Sequence, residues 1–153
     1  LHQLLPGADA ARLQALLDTE PAPGGWLRRL AALGPVQPDL RLSRADQRAL
    51  AALDRARGWS LDRAAWHLGA DAATDHAALM AADGHPLPPD WQARITRATR
   101  SPLPVAAADL APLQGPALGR ALKAAEEAWI ASAFTLPAPA LIDAARLAGK
   151  DDE

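Results

Sequence analysis

The chain has 153 residues, enough for one medium domain or for two small helical subdomains that share an interface. Half of the residues are apolar, mainly Ala and Leu, while Phe occurs once and Tyr is absent, and this composition favours helices. The net charge of −2 excludes a strongly basic protein, and the absence of Cys excludes disulfides and thiolate metal sites. No apolar run approaches the roughly 20 residues that a membrane span needs.

The beginning of the chain carries neither a basic segment nor the apolar run of a signal peptide. Its first residue is Leu1 rather than Met, so we expect a piece of a longer protein, and any catalytic domain of that protein would lie upstream. The absence of Cys is typical of a reducing compartment. The sequence therefore predicts a cytoplasmic location.

Apolar residues recur at helical spacing between turns rich in Pro and Gly. The predicted helices, in chain order, cover about residues 8–18, 26–33, 44–57, 61–68, 70–82, 91–100, 106–113, 116–132 and 138–147. No segment alternates as a strand should, and none is dense in Val, Ile and Thr. We predict an all-α fold of about nine short to medium helices in an array of hairpins.

Particular residues refine these helices. Ser43 and Ser60 each precede a periodic apolar stretch and are predicted to be N-caps. In the second helix the apolar residues should face inward, and Arg28 and Arg29 should face solvent. Residues 149–153 are predicted to form a disordered acidic tail.

A Pro-rich loop at residues 85–89 is the clearest boundary after residue 25. We therefore predict a helical body region at residues 1–88 and a helical tail region at residues 89–153. The tail region contains a Gly-Pro-x-Leu-Gly helix start.

No motif in the sequence indicates an active site. The chain has four histidines, His2, His67, His76 and His85, and they lack the spacing of metal ligands. Gly115 and Gly119 lack the Gly-Lys-Ser/Thr ending of a phosphate loop. We predict no catalytic residue and no metal site in this chain.

The tail region contains one basic segment. Between residues 91 and 123 five cations stand against the single carboxylate of Asp109, a net charge of +4, whereas residues 124–153 carry a net charge of −4. Arg94, Arg97 and Arg100 are spaced by three and form one ridge of their helix. Such a ridge can follow RNA phosphates, but it is equally typical of a solvated helix face.

The helix that begins at Gly115-Pro116 is the main candidate for a binding site. Pro suits the first helical position, and a helix N-terminus presents free N–H groups and a partial positive charge that can hold a phosphate. Arg120 and Lys123 lie near this start, on a more polar face. The helix also carries an apolar stripe formed by Leu118, Leu122, Ala125 and Trp129. The alternative interpretation is an ordinary amphipathic helix with solvated charges.

Several stretches of the last third form a recognisable pattern: Leu103-Pro104-Val105, Asp109-Leu110, residues 115–123 (GPALGRALK), residues 126–132 (EEAWIAS) and Phe134-Thr135-Leu136. Together they resemble the C-terminal end of bacterial CCA tRNA nucleotidyltransferases, which belong to the poly(A) polymerase-like family. Residues 40–45 and 87–91 are similar in kind but less specific. Leu103 stands where family members usually have Phe.

The resemblance implies a parent enzyme whose head domain uses paired aspartates and Mg²⁺ to transfer CMP and AMP, from CTP and ATP, to the tRNA 3′ end. It implies that this chain is the C-terminal tRNA-binding region, inert alone, without a cofactor of its own. Its partners would be the tRNA acceptor and T arm and the upstream catalytic domain, with no membrane involved. The residues expected to contact RNA are Arg97, Arg100, Gly115, Ala117, Leu118, Arg120 and Lys123.

A helical module for protein–protein interaction or dimerisation, without RNA binding, is the alternative from another functional class. The near-neutral charge, the Ala- and Leu-rich helices and the five tryptophans favour it. Exposed tryptophans would suit the core of a protein interface.

Overall fold

The computed structural model describes residues 7–21, 24–34 and 40–150. Every regular element in these ranges is helical, which confirms the predicted all-α fold. The α-helices are α1 (Ala10–Thr19), α2 (Trp26–Ala32), α3 (Arg44–Arg55), α4 (Leu61–Leu68), α5 (Ala70–Ala82), α6 (Trp91–Thr99), α7 (Gly115–Ala131) and α8 (Ala138–Lys150). A 3₁₀ helix, Ala107–Leu110, precedes α7. None of the helices in the described ranges has the length and apolarity that a membrane crossing requires.

The contacts within the chain divide it into two compact units, unit 1 at residues 1–96 and unit 2 at residues 97–153. This division falls inside α6. The body and tail regions that the sequence analysis separates between residues 88 and 89 stay a prediction.

Short-range signals set the ends of the helices. The Ser43 hydroxyl accepts the N–H of Asp46 at 3.1 Å, and the Ser60 hydroxyl accepts the N–H of Arg63 at 3.2 Å, so both predicted N-caps are confirmed. Gly69 ends α4 and precedes α5 with a φ of +88°, a backbone conformation that glycine adopts without the steric cost of a Cβ.

Helix α5 is the centre of unit 1, because it packs against α1, α2, α3 and α4. Its alanines allow these neighbours to approach closely, and Leu79 supplies its largest buried side chain. The core of unit 1 contains Leu16, Ala32, Leu53, Ala78 and Leu79. Each helix that surrounds α5 therefore buries one face in this core.

Arg28 is buried, and the prediction that it faces solvent is wrong. Its side chain is 5% exposed, its Nε donates to Asp75 at 2.7 Å, and its Nη1 donates to Glu20 at 3.1 Å. The guanidinium lies over Gly24, where a Cβ would overlap it. Two carboxylates from other elements therefore make the burial of this charge tolerable. Arg29, the next residue, is exposed as predicted.

Helices α7 and α8 form a hairpin that builds the core of unit 2. The core contains Leu110, Ala121, Ala125, Trp129, Ile130, Phe134, Leu141 and Ala145. Ala125 and Trp129 of the predicted apolar stripe are buried, whereas Leu118 and Leu122 are only half-buried. The indole N–H of Trp129 donates to the Ser101 carbonyl at 2.9 Å, which satisfies its one polar group.

Helix α8 continues to Lys150, so the prediction that a disordered tail begins at residue 149 is wrong for Gly149 and Lys150; residues 151–153 lie outside the described residues. Gly149 is buried. A Cβ at this position would lie 2.7 Å from Cδ1 of Leu113 and 3.5 Å from the carbonyl oxygen of Ala117. The missing side chain therefore lets the last turn of α8 approach the start of α7.

The buried ion pairs of Arg28 can be tested by removing the cation. Arg28→Met should lower the free energy of unfolding by about 3 kcal/mol, because it leaves the carboxylates of Glu20 and Asp75 without their partner in a largely buried place. Arg29→Met, on the exposed face of the same helix, is the matched control and should change stability by less than about 0.5 kcal/mol. Equal losses for the two variants, measured by urea unfolding, would contradict the assignment.

His76 should make folding dependent on pH. Burial lowers the pKa of this histidine, although its hydrogen bond to the Trp59 carbonyl and the charge of Asp83 act in the opposite direction. Since a carbonyl can only accept, Nε2 carries the proton of a neutral ring, 3.0 Å from that oxygen. As the pH falls through about 6.5, this histidine is therefore protonated in the unfolded chain before it is protonated in the folded chain. The free energy of unfolding decreases over the same pH range.

The measurement is the loss of unfolding free energy between pH 7.5 and pH 5.5. His76→Gln should lose less than the parent chain over this interval, whereas His85→Gln, at an exposed position, should lose as much as the parent. An unchanged loss in His76→Gln would show that this ring does not contribute.

Trp129 should be the main aromatic anchor of unit 2. Trp129→Ala removes a side chain that is 9% exposed and that contacts Phe134 edge to face, so it should cost about 3–5 kcal/mol of unfolding free energy. Trp26→Ala removes a side chain that is 54% exposed and should cost less than about 1 kcal/mol. A loss under about 1 kcal/mol at Trp129 would be incompatible with this packing.

Candidate nucleic-acid interface

The start of α7 lacks a side-chain cap. Gln114 is the N-cap residue, and its side chain makes no capping hydrogen bond. The N–H of Leu118 donates to the Gln114 carbonyl at 3.4 Å and so belongs to the helix ladder. Helix geometry leaves the N–H groups of Gly115 and Ala117 without an intrahelical acceptor, and Pro116 has no N–H. Of the two predicted RNA contacts Ala117 and Leu118, Ala117 is therefore the one whose N–H group lies at the open helix end.

A cavity of about 660 Å³ lies beside this helix start. Three segments of unit 2 form its wall: the loop of residues 110–113, the first two turns of α7 and the last turns of α8. The residues that line it are 110–113 of the loop, Ala117 and Arg120 of α7, and Arg146, Gly149 and Lys150 of α8. We call this space the α7–α8 cavity.

The lining of the α7–α8 cavity is positively charged. Among the described residues, it contains Arg120, Arg146 and Lys150 and no carboxylate. The Arg146 Nη2 donates to the Asp109 carbonyl at 3.1 Å, which holds its guanidinium at the wall. The carboxylate of Asp109 accepts the Ala106 N–H at 2.8 Å, at the start of the 3₁₀ helix. Three cations around one concave space raise the local concentration of anions.

The structure brings only part of the predicted RNA-binding set to this cavity. Ala117 and Arg120 line it. Gly115 and Lys123 are exposed outside the lining, and Leu118 is half-buried in α7. The predicted helix start therefore contributes Ala117 and the cationic side chain of Arg120 to the same space.

Arg97 and Arg100 lie elsewhere in unit 2. Both are exposed, and the Ser101 carbonyl that follows them accepts the indole N–H of Trp129. This bond places the end of α6 at the level of Trp129, about 13 Å along α7 from Arg120 at about 1.5 Å per residue. The two groups of cations are therefore separate contact points.

Arg94 of the predicted ridge forms an ion pair within unit 1. Its guanidinium contacts the Asp62 carboxylate in unit 1 with two nitrogens, at 2.8 and 3.3 Å. The hydrogen bond to Asp62 raises the pKa of Arg94. This pairing holds the guanidinium of Arg94 against Asp62, whereas the side chains of Arg97 and Arg100 are exposed.

Arg146 and Lys150 are functional candidates that the sequence analysis missed. They belong to the segment that carries a net charge of −4, so the charge count pointed away from them. Their spacing of four residues was the available signal, because it places both side chains on one face of a helix. That face meets α7 only because α8 continues to Lys150.

The described residues contain no group of three His, Asp or Glu side chains that could hold a metal ion. His67 packs its ring against Trp59 and Trp66, with ring centroids 5.5 and 4.9 Å apart. His76 is held by its bond to the Trp59 carbonyl. The chemistry that the α7–α8 cavity offers is the binding of an anion.

Comparison with known proteins identifies no relative: no protein-family model, no curated protein and no solved structure matches the chain.

Proposed function

We propose that this chain is the C-terminal tRNA-binding region of a cytoplasmic CCA-adding tRNA nucleotidyltransferase. In this proposal an upstream catalytic domain, which uses Mg²⁺, CTP and ATP, completes the tRNA 3′ end. The present chain holds the acceptor and T arm and takes no part in nucleotide transfer. The sequence pattern of residues 103–136 supports the assignment to this class of enzyme.

The observation that carries the proposal is the charge of the α7–α8 cavity. Ala117 and Arg120, which the sequence pattern assigns to RNA, share this space with Arg146 and Lys150. A cation that contacts a phosphate releases condensed counterions, and this release supplies much of the affinity for nucleic acid. The guanidinium groups can also donate two parallel hydrogen bonds to one phosphate.

Arg97 and Arg100 provide a second, separate contact in the proposal. They are exposed near the level of Trp129, about 13 Å along α7 from the cavity at about 1.5 Å per residue. One RNA arm can contact both points. Contacts to phosphates position an RNA without reading its sequence, as a protein that serves many tRNAs requires.

The tryptophans give little support to the alternative, an interaction module without RNA binding. Trp129 is buried, and Trp59, Trp66 and Trp91 are half-buried. Only Trp26 is exposed, at 54%, and it lies in unit 1. The five tryptophans therefore do not form the exposed aromatic patch that would mark an interface core.

The proposal predicts tRNA binding that weakens steeply with salt. Six cationic contacts, from Arg97, Arg100, Arg120, Lys123, Arg146 and Lys150, should give a log–log slope of about −4 to −5. Arg120→Ala with Lys123→Ala should reduce that slope by about 2 and weaken binding to tRNAs of different sequence about equally. Fluorescence anisotropy over a salt series measures both quantities.

Arg44→Ala with Arg48→Ala is the matched control, since both side chains are exposed cations on α3 of unit 1. This variant should bind tRNA with the affinity and the salt slope of the parent chain, apart from the change that the loss of two positive charges causes. If the Arg120/Lys123 variant and the parent bind tRNA equally tightly at the same salt concentration, these residues of α7 do not contact the RNA. Self-association that is independent of salt concentration, without tRNA binding, would support the interaction module instead.

A further inference from the structure

We infer that the α7–α8 cavity takes one nucleotide, with its phosphate on the cations of α7 and α8 and its sugar and base on the apolar wall. The inference deepens the proposed function and rests on it, since a nucleotide of the bound RNA is the expected occupant. A free mononucleotide has the same chemistry and is the second source.

The size of the cavity argues for more than a phosphate. Its volume of about 660 Å³ lies inside the range of about 300–1,000 Å³ that small-molecule sites occupy. A phosphate group alone would leave most of this space to water. A whole nucleotide is a ligand of the appropriate size.

The cavity wall has two chemically different parts. Arg120, Arg146 and Lys150 supply the charge, whereas Pro112 and Leu113 supply an apolar surface on the loop. Leu110, at the end of the 3₁₀ helix, is fully buried and anchors this loop in the core of unit 2. A nucleotide has the same division, with an anionic phosphate at one end and a base of low polarity on its faces at the other.

Positive charge continues outside the cavity. Lys123 follows Arg120 by about one turn of α7 and is exposed. A polynucleotide needs such continuation for its next phosphates, and an isolated phosphate ester does not. Among the described residues, the lining holds no carboxylate, thiol or hydroxyl side chain.

The test titrates the whole chain with 5′-AMP, adenosine and inorganic phosphate, by calorimetry and by amide NMR shifts. The 5′-AMP should bind at least about tenfold more tightly than adenosine or inorganic phosphate. Adenosine lacks the phosphate that contacts the cations, and inorganic phosphate lacks the sugar and base that contact the apolar wall. The amide shifts should concentrate in residues 110–120 and 145–150. Inorganic phosphate that binds as tightly as 5′-AMP would overturn the inference, because the apolar wall would then contribute nothing.

Variants locate the phosphate. Arg146→Gln and Lys150→Gln should each weaken 5′-AMP binding by about ten- to a hundredfold, the usual effect of losing a hydrogen bond to a charged group. Arg48→Gln, an exposed cation of α3, is the control and should not change it. Thermal melting shows whether each variant is folded. If Arg146→Gln does not fold, the result for Lys150→Gln, at the exposed end of α8, decides whether these cations hold the phosphate. Undiminished 5′-AMP binding in the folded variants would overturn the inference.

Competition with tRNA separates this inference from the proposed function. If 5′-AMP displaces tRNA, the cavity takes a nucleotide of the RNA, and both the proposed function and the nucleotide site are supported. If 5′-AMP binds but the chain does not bind tRNA, the cavity takes a free nucleotide and the proposed function fails. If tRNA binds but 5′-AMP does not, the proposed function stands and the nucleotide site is refuted.

Discussion

The close approach of α8 to the start of α7 is the constraint on which the candidate site depends. Leu141, Ala145 and Gly149 are buried at intervals of four residues, and Gly149 leaves no room for a Cβ beside Leu113. Arg146 and Lys150 directly follow the last two of these positions, so the same packing that buries the stripe sets both cations at the edge of the cavity. A Cβ at position 149 would lie 2.7 Å from Cδ1 of Leu113, so the Leu113 side chain in the cavity wall would have to move. The charge of the site is thus a consequence of helix packing as much as of composition.

A different kind of constraint organises unit 1. Its central helix, α5, is rich in Ala and supplies few large side chains, so a buried polar cluster supplements the hydrophobic core. Arg28 joins α2 to Asp75 on α5 and to Glu20 after α1. Such a cluster adds little net stability over apolar packing, but it strongly penalises arrangements in which a charge loses its partner. It therefore favours one arrangement of helices that alanine alone would specify poorly.

Local signals in the sequence were sufficient for much of the fold and insufficient for the site. The bounds of α4 and α5 follow from Ser60 and from the glycine between them, because capping depends on residues only a few positions apart. Arg28 was misassigned because its partner Asp75 lies 47 residues away, and helical periodicity carries no information about that contact. Gly149 was assigned to a disordered acidic tail, although it is buried where α8 packs against the start of α7. The two cations of α8 were missed for the same reason, since the cavity exists only after α7 and α8 pack together.

The central claim is that RNA binds at the α7–α8 cavity. The most direct measurement is amide NMR of the whole chain with a minihelix that joins a tRNA acceptor stem to its T arm. The account predicts that the largest shifts fall on Ala117, Arg120, Arg146 and Lys150, with a second, smaller group at Arg97 and Arg100. Shifts confined to unit 1, around the exposed Trp26, would contradict it.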